Sequence, residues 1–306
     1  MDVAATAPPR ISLCVLNHNY AHYLGRAVES CLAQEPGAYH LQEIVVLDDG
    51  STDGSLDVCA RYGDRVRVVA LPHGGFGATL SEAVRRCTGD WVAFLDADDW
   101  FAPDKLRVAA AGLRPGVRFL QHWEYVVDGA GEALVPEPHP GGNTSTLLVH
   151  RASALSLLPV TNEKFFHVLD DLGLGARLPE PLTHYRVHAS NMTDRATPGS
   201  HQDYMAGVCR ALSARLTELA AAPPDWASAH ALRRLALHYR AEAHAHTVEA
   251  ALQRGRRPAA WRPLLAELLL TARAGRGWRS RLPSVRSVLT GRPCVRLAPA
   301  AGEGAS

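Results

Sequence analysis

Short apolar runs alternate with helical patterns along the first third of the chain. Four runs have the length and continuity of strands buried on both faces: 11–16, 43–47, 65–71 and 91–95. Four further segments carry apolar side chains at helical spacing: 22–34, 56–62, 78–87 and 103–113. Alternation of strands and helices with short connections predicts an α/β fold, with a mostly parallel sheet covered by helices.

The pattern changes in the rest of the chain. Residues 116–160 are typical of strands and turns, and 163–173 look helical. Three Ala/Leu/Arg-rich helices are then predicted at 201–222, 228–252 and 261–273, with breaks at Pro223-Pro224 and at Pro258. The predicted organisation is a leader at 1–9, an α/β domain with halves at 10–113 and 114–197, a helical extension at 198–297 and a disordered tail at 298–306.

Composition excludes several classes of protein. Of 306 residues, 47% are hydrophobic and 21% are charged, so a core of ordinary size can form. A net charge of +1 argues against a nucleic-acid partner. The six cysteines include no CxxC pair, which argues against a zinc ribbon. We find no pattern of a signal peptide and no apolar run of 18 residues, and therefore expect a reduced, cytoplasmic protein.

Polar clusters follow all four predicted strands. They are Asn17–Asn19, Asp48-Asp49, the glycine-rich turn His73–Gly77 and Asp96-Ala97-Asp98. Because the carboxyl ends of parallel strands meet at one edge of a sheet, the clusters are expected to converge there. An Asp-x-Asp pair in a turn can hold Mg²⁺ or Mn²⁺ together with substrate phosphates. The absence of a Walker sequence and of GxGxxG after the first strand argues against ATPases and NAD-dependent dehydrogenases.

These motifs carry a family resemblance. DDGSTD at 48–53 and LDADD at 95–99, at this spacing, closely resemble the family 2 glycosyltransferases over residues 10–113. A weaker likeness, including LPEPLTHYRVH, extends to about residue 195. The resemblance implies a GT-A fold and an inverting transfer of sugar from a nucleotide-sugar, with Mn²⁺ or Mg²⁺ as cofactor. A UDP-sugar donor and a hydroxyl acceptor, either carbohydrate or lipid-linked, in polysaccharide or glycoconjugate synthesis are expected.

The resemblance also implies site residues. The backbone near Leu16 and the side chain of Asn19 would line the nucleoside pocket, and Asp49 would accept from the base. Asp98 would bind the metal, and His188 would join the metal or the diphosphate, with a structural role as the alternative. The residues expected to bind the nucleotide-sugar are Leu16, Asn17, Asn19, Asp48, Asp49, Gly75, Asp96 and Ala97.

The catalytic base is where the sequence departs from the family pattern. Related enzymes commonly place an acidic residue, often Asp, ahead of the EPL-x-x-YR-x-H segment, and here that place reads Thr-Asn-Glu-Lys. Glu163 is the first candidate. Asp170 or Asp171, two turns further along the same predicted helix, is the second. The alternative function is an inactive nucleotide-sugar binding protein. A sugar nucleotidyltransferase is a further alternative, but it would need a Gly-rich basic loop after the first strand, where this sequence has Asn17-His-Asn-Tyr20.

Some polar residues have competing interpretations. Asp99 is expected to cap the following helix, and Ser51 or Thr52 is expected to cap the helix at 56–62. Arg186 could clamp a phosphate or form a salt bridge.

Residues 251–306 contain eleven arginines against two glutamates, with two tryptophans among them. Residues 251–297 could therefore contact an anionic membrane peripherally, or pack as a helix with a solvated basic face.

Overall fold

The chain divides into two units, Met1–Ala189 and Ser190–Ser306. A computed structural model describes residues 7–188, 191, 197–274 and 281–293. The division falls near the predicted end of the α/β domain at residue 197. The predicted tail 298–306, and all but the last three residues of the predicted leader, lie outside the described residues.

The first unit alternates strands and helices. Its strands are β1 (Arg10–Asn17), β2 (His40–Asp49), β3 (Arg67–Leu71), β4 (Trp91–Asp96), β5 (Trp100–Phe101), β6 (Phe119–Val127), β7 (Leu147–His150) and β8 (Gly175–Arg186). Its α-helices are α1 (Ala21–Leu32), α2 (Ser55–Ala60), α3 (Phe76–Arg86), α4 (Lys105–Gly112), α5 (Arg151–Leu157) and α6 (His167–Asp171).

The strands form one mixed sheet. Its order is β3-β2-β1-β4-β7-β6-β8-β5. The neighbours from β3 to β4 are parallel, as are β6 and β8, while β7 and β5 run antiparallel to their neighbours. The predicted α/β fold with a mostly parallel sheet is therefore confirmed.

Alternate residues of the central strands pack on opposite sides of the sheet. Leu13 and Val15 of β1 belong to the same buried cluster as Leu24 and Val28 of α1. Phe94 of β4 stacks on Phe166, with ring centroids 5.5 Å apart. These contacts bury both faces, which is why the strands read as continuous apolar runs.

Three local features of the first unit differ from the sequence predictions. The segment 163–173 is a single 3₁₀ turn, Glu163–Phe165, followed by the short helix α6, and so it is not one helix. Neither Ser51 nor Thr52 caps α2: the helix begins at Ser55, whose N–H donates to Asp53 Oδ1 over 3.0 Å. Helix α5 lies within the stretch expected to hold only strands and turns.

The second unit is helical. Its helices are α7 (Ser200–Leu219), α8 (Ala229–Gln253), α9 (Arg257–Arg273) and α10 (Leu282–Thr290). The predicted break between α8 and α9 is present at 254–256, but α9 begins four residues earlier than predicted, because Pro258 is accommodated in its first turn, where no intrahelical donor is required. Helix α10 was missed, because its nine residues are too few for a periodic pattern.

Helices α9 and α10 form an antiparallel pair. Arg257 of α9 donates to the carbonyls of Val288 and Leu289, and Ser284 of α10 donates to Glu267 over 3.0 Å. Arg281 joins Glu267 at 3.6 Å. Within the described residues, no helix has both the length and the apolar character that crossing a bilayer requires.

Candidate active site

The register of the sheet brings the predicted polar clusters to one edge. Asn17 pairs with Asp48 on β2, and Leu16 pairs with Asp96 on β4. Asp49 is the last residue of β2 and pairs with the last residue of β3, which leads into the glycine-rich turn. The convergence expected from the strand pattern is confirmed, and it places a site beyond the carboxyl ends of β1–β4.

The side chains of Asn17 and Asp48 shape the loops at this edge. Asn17 Nδ2 donates to Asp48 Oδ2 over 2.7 Å and to Ser51 Oγ over 3.1 Å. Asp48 Oδ1 accepts the N–H of Ser51 over 2.9 Å. Asn17 Oδ1 is buried and has no hydrogen-bond partner among the residues that the structure describes. The carbonyl of Leu16 accepts the N–H of Ala97 over 3.0 Å and ties β1 to the Asp-x-Asp turn.

Asn19 joins the first loop to the second. Its φ of 59° lies in the left-handed region, which asparagine tolerates better than most residues. Its Oδ1 accepts the N–H of Thr52 over 2.8 Å, and its own N–H donates to Ser51 Oγ over 2.9 Å. Ser51 therefore links two loops, and it does not cap a helix.

Asp49 holds the glycine-rich turn. Its two carboxylate oxygens accept the N–H groups of Gly74 and Gly75 over 2.8 and 2.9 Å. Gly75 has φ of +81° immediately before α3, a conformation that side chains rarely adopt. His73 Nδ1 lies 3.0 Å from Asp49 Oδ2. Asp49 and Gly75, both predicted to bind the nucleotide-sugar, are thus in direct contact.

Two histidines flank Asp49. The rings of His18 and His73 are stacked with centroids 4.3 Å apart. His18 Nδ1 lies 2.7 Å from the carbonyl of Asp49, and its Nε2 is 3.1 Å from Asn19 Nδ2. Ligand atoms of His18, Asp49 and His73 come within 4.8 Å of one another. His73 was missed by sequence reasoning, and only its place after β3 could have indicated it.

The Asp-x-Asp turn and the residue after it carry three carboxylates, of which Asp98 and Asp99 are buried and Asp96 is partly buried. Burial and the charge of Asp98 raise the pKa values of Asp96 and Asp99 well above the usual range. Asp99 accepts hydrogen bonds from Ser145 Oγ at 2.6 Å and from the N–H of Arg186 at 2.8 Å. It therefore fixes β8 to the turn, and the prediction that it caps a helix is wrong.

Ser145 connects two of these aspartates, and nothing in the sequence marked it. Its hydroxyl donates to Asp99 Oδ2 and accepts the N–H of Asp96 over 3.0 Å. Its carbonyl accepts from Lys105 Nζ over 2.9 Å, a lysine that is completely buried. The turn is thus held from behind by Ser145 and Lys105.

His188 faces Asp98. Its Nε2 lies 3.0 Å from Asp98 Oδ2, and each side chain is about 9% exposed. Tyr20 and Tyr23 pack on the imidazole, with centroids 5.7 and 5.0 Å away. Arg186 donates to the carbonyl of Asp98 and to the carbonyl of Gly129 in the facing loop.

The Asp98–His188 pair fits a divalent cation. A carboxylate oxygen and an imidazole nitrogen at 3.0 Å can turn towards one ion. Mn²⁺ accepts both donor types, whereas Mg²⁺ prefers oxygen. Two protein ligands leave the remaining coordination positions for the phosphate oxygens of a substrate.

Glu163 lies in the second half of the α/β domain, and its charge acts on the Asp-x-Asp turn. Burial raises its pKa to about 7, and its charge contributes to the raised pKa of Asp96. The loop before it packs tightly on α3, since a Cβ on Gly77 would lie 2.7 Å from the Cα of Thr161. Asn162 Oδ1 accepts the N–H of Lys164 over 2.9 Å and fixes the turn that carries Glu163.

Asp170 is not brought to this edge. Its carboxylate pairs with Arg177 at 2.6 Å and lies against Gly175. Gly175 pairs with Phe119 of β6, which is in register with Val92 of β4 through the intervening strand β7. Val92 lies four positions before Asp96 along β4. Because the segment 163–173 is broken, Glu163 and the second candidates, Asp170 and Asp171, do not lie on one continuous helix.

Comparison with known proteins agrees with this geometry. The glycosyl transferase family 2 model matches residues 12–123. An uncharacterized glycosyltransferase of Nostoc sp. is 31% identical over an alignment 228 residues long, which covers 63% of this chain and 70% of the Nostoc protein. The chondroitin synthase of Pasteurella multocida is 34% identical over 103 residues, which are 33% of this chain but 10% of the synthase.

The fold has a solved counterpart. The structure of S. aureus TarS 1-349 in complex with UDP-GlcNAc matches with a TM-score of 0.58 at 19% identity, covering 92% of each chain. At that identity the likeness shows the shared GT-A fold alone. One conclusion follows from the family model, the length of the Nostoc match and the sheet edge that carries both aspartate motifs. This chain is a glycosyltransferase and belongs to family 2.

Proposed function

We propose that the protein transfers a sugar from a UDP-sugar to a hydroxyl acceptor, with inversion at the anomeric carbon and with a divalent cation. The single observation that carries the proposal is the Asp98–His188 pair on the turn after β4, beyond the strands that hold the Asp49 loop, with the charge of Glu163 acting on Asp96 of the same turn. This arrangement offers a place for a diphosphate between a base-binding loop and a general base.

The nucleoside end of the donor fits the loop around Asp49. The stacked rings of His18 and His73 offer a flat surface beside a carboxylate that still has acceptor capacity. Uracil presents an N3–H donor and a planar face, which match these two features. The TarS structure contains UDP-GlcNAc, which supports the choice of a uridine donor for this fold.

The diphosphate would lie at Asp98 and His188, which would hold Mn²⁺ or Mg²⁺. When bound, the cation neutralises the charge that develops on the leaving nucleoside diphosphate. Tyr20 and Tyr23 hold the imidazole of His188 in place, and the Arg186 side chain holds the Asp98 carbonyl. The chain's own contribution at this end is orientation of the donor.

Glu163 would act as the general base. Its carboxylate takes the proton of the acceptor hydroxyl as that oxygen bonds to the anomeric carbon, while the bond from that carbon to the UDP oxygen breaks. A pKa of about 7 suits a base that works near neutral pH. Its position beside Asp96 supports this role over Asp170, whose carboxylate is engaged by Arg177.

The acceptor is proposed to be a carbohydrate or lipid-linked hydroxyl in polysaccharide or glycoconjugate synthesis, at a cytoplasmic location. The alternative is an inactive nucleotide-sugar binding protein; the charge of Glu163, which contributes to the raised pKa of Asp96, supports the active enzyme over it. The test is release of UDP from a panel of UDP-sugars offered with saccharide and lipid-linked acceptors. Turnover in the wild-type protein that disappears in Glu163→Gln supports the proposal, and binding of UDP without any turnover contradicts it.

A further inference from the structure

Helix α9 exposes a continuous apolar row. Trp261, Leu265 and Leu269 follow at four-residue intervals, which places them on one face of the helix. Their exposed fractions are 42, 58 and 64%. Arg273 continues the same row by one further turn, and it is exposed. The opposite side of α9 is buried, since Ala260 and Leu264 belong to the cluster shared with α8 and α10.

Helix α10 has a second such face. Leu282, Arg286 and Leu289 are spaced by four and three residues, and all three are exposed. The two leucines are 46 and 56% exposed, while Val288 on the other side is fully buried. Large exposed apolar side chains on two neighbouring helices of a single unit mark an interaction surface.

The charge of this region has one sign. Residues 254–293 contain ten arginines and a single carboxylate, that of Glu267. Glu267 is completely buried and is bound by Ser284 and Arg281. Among the residues that the structure describes, Arg262, Arg273 and Arg286 form no ion pair. All charge offered to solvent by α9 and α10 is therefore positive.

We propose that α9 and α10 form a docking surface for an anionic lipid bilayer, with Trp261, Leu265, Leu269, Leu282 and Leu289 entering the headgroup region. An interfacial helix combines an apolar face of this kind with cations that meet anionic headgroups. The two helices pair through Arg257, Ser284 and Glu267, which holds α10 against α9. The proposal does not rest on the proposed donor.

Charge and apolarity together select the bilayer over other partners. A second copy of the chain applied to the same face would bring arginines together without a carboxylate between them. A nucleic-acid backbone would meet the arginines but would leave the exposed leucines without an apolar partner. A bilayer with anionic headgroups satisfies both sets of side chains.

The test is co-flotation of the full chain with vesicles of phosphatidylcholine alone and of phosphatidylcholine with phosphatidylglycerol. We expect binding to the anionic vesicles only, weakening as salt screens the headgroups. The variant Arg262→Gln/Arg273→Gln/Arg286→Gln should partition about tenfold or more less strongly. Leu265→Ser/Leu269→Ser should also lose binding, with its net charge unchanged.

A matched control removes the same charge elsewhere. Arg61→Gln/Arg210→Gln/Arg233→Gln replaces three exposed arginines outside α9 and α10, and it should bind as the wild type does. Equal loss in this control would mean that net charge, and not this surface, drives binding. The proposal would be overturned if the chain did not float with any vesicles or bound neutral vesicles equally well. It would also be overturned if the chain did not float but self-associated, and Leu265→Ser/Leu269→Ser abolished that self-association. Circular dichroism and thermal unfolding establish that every variant is folded.

Discussion

Nε2 of His188 lies 3.0 Å from Oδ2 of Asp98, although ninety positions separate the two residues in the chain. Strand β8 and the turn after β4 bring them together, and Asp99 fixes that approach by accepting the N–H of Arg186. The two sequence motifs LDADD and YRVH thus meet in a single site. The first motif supplies a carboxylate, the second supplies an imidazole, and the pair can hold one cation.

Glu163 should be required for transfer but not for nucleotide binding. Glu163→Gln keeps the size of the side chain and removes its basicity, so kcat should fall about 10²–10⁴-fold. The Kd for UDP, measured by calorimetry, should stay within about twofold, since the proposed base faces the acceptor. Asp170→Asn is the matched comparison and should retain most of the activity, because its partner is Arg177. The reverse pattern would make Asp170 the base.

The rate should depend on pH through Glu163. Because its pKa is about 7, the carboxylate is largely protonated at pH 6 and largely ionised at pH 8. A base works in its ionised form, so kcat/KM should rise across this interval with an apparent pKa near 7. Asp96 and Lys164 are the charged neighbours that bear on this titration. A profile flat from pH 6 to 8 in the wild type would contradict the assignment.

Ser145 should matter for stability and for the donor site together. Ser145→Ala leaves Asp99 Oδ2 and the N–H of Asp96 without a buried partner, at a cost of about 1–3 kcal/mol in the free energy of unfolding. Denaturant unfolding measures that cost, and UDP affinity should fall in parallel. Ser156→Ala removes a hydroxyl that donates to the carbonyl of Ser153 within α5, and it should leave UDP affinity unchanged.

Gly77 should tolerate no side chain. A Cβ there would lie 2.7 Å from Thr161 Cα and 2.9 Å from the carbonyl of Val160, so the loop before Glu163 must move. Gly77→Ala should therefore destabilise the fold by about 1–3 kcal/mol and reduce kcat. Gly207→Ala, in α7 with no atom within 4 Å of the new Cβ, should stabilise it by up to about 1 kcal/mol. A Gly77→Ala protein with wild-type stability and rate would contradict this packing.

Much of the fold was predictable because the strands are buried on both faces. The runs 11–16, 43–47 and 91–95 became β1, β2 and β4, and their shared edge followed from parallel order. The prediction of one helix over 163–173 failed because the apolar spacing there fits a helix, while Asn162 caps a 3₁₀ turn that interrupts it. Helical periodicity does not reveal such a local hydrogen bond.

Some residues of the candidate site were likewise predictable from the sequence, and others were not. Asp49 and Asp98 were predictable because each follows a strand in a recognisable motif. Ser145 was not, because its role depends on β7 lying antiparallel beside β4, which no local pattern encodes. The prediction that Asp99 caps a helix failed because Asp99 accepts the N–H of Arg186 from a distant strand, and sequence spacing shows only near neighbours.

The measurement that tests the central claim most directly is thermal unfolding with UDP, GDP, dTDP, CDP and ADP, each with and without Mn²⁺. A ligand at a hundred times its Kd stabilises the folded state by about 2.7 kcal/mol, which raises Tm by several degrees. We predict such a rise with UDP and Mn²⁺ together, its loss in Asp98→Asn, and its retention in Asp57→Asn, which alters an exposed carboxylate. The absence of a rise with every nucleotide, or a rise that persists in Asp98→Asn, would contradict a cation-assisted UDP-sugar site at Asp98 and His188.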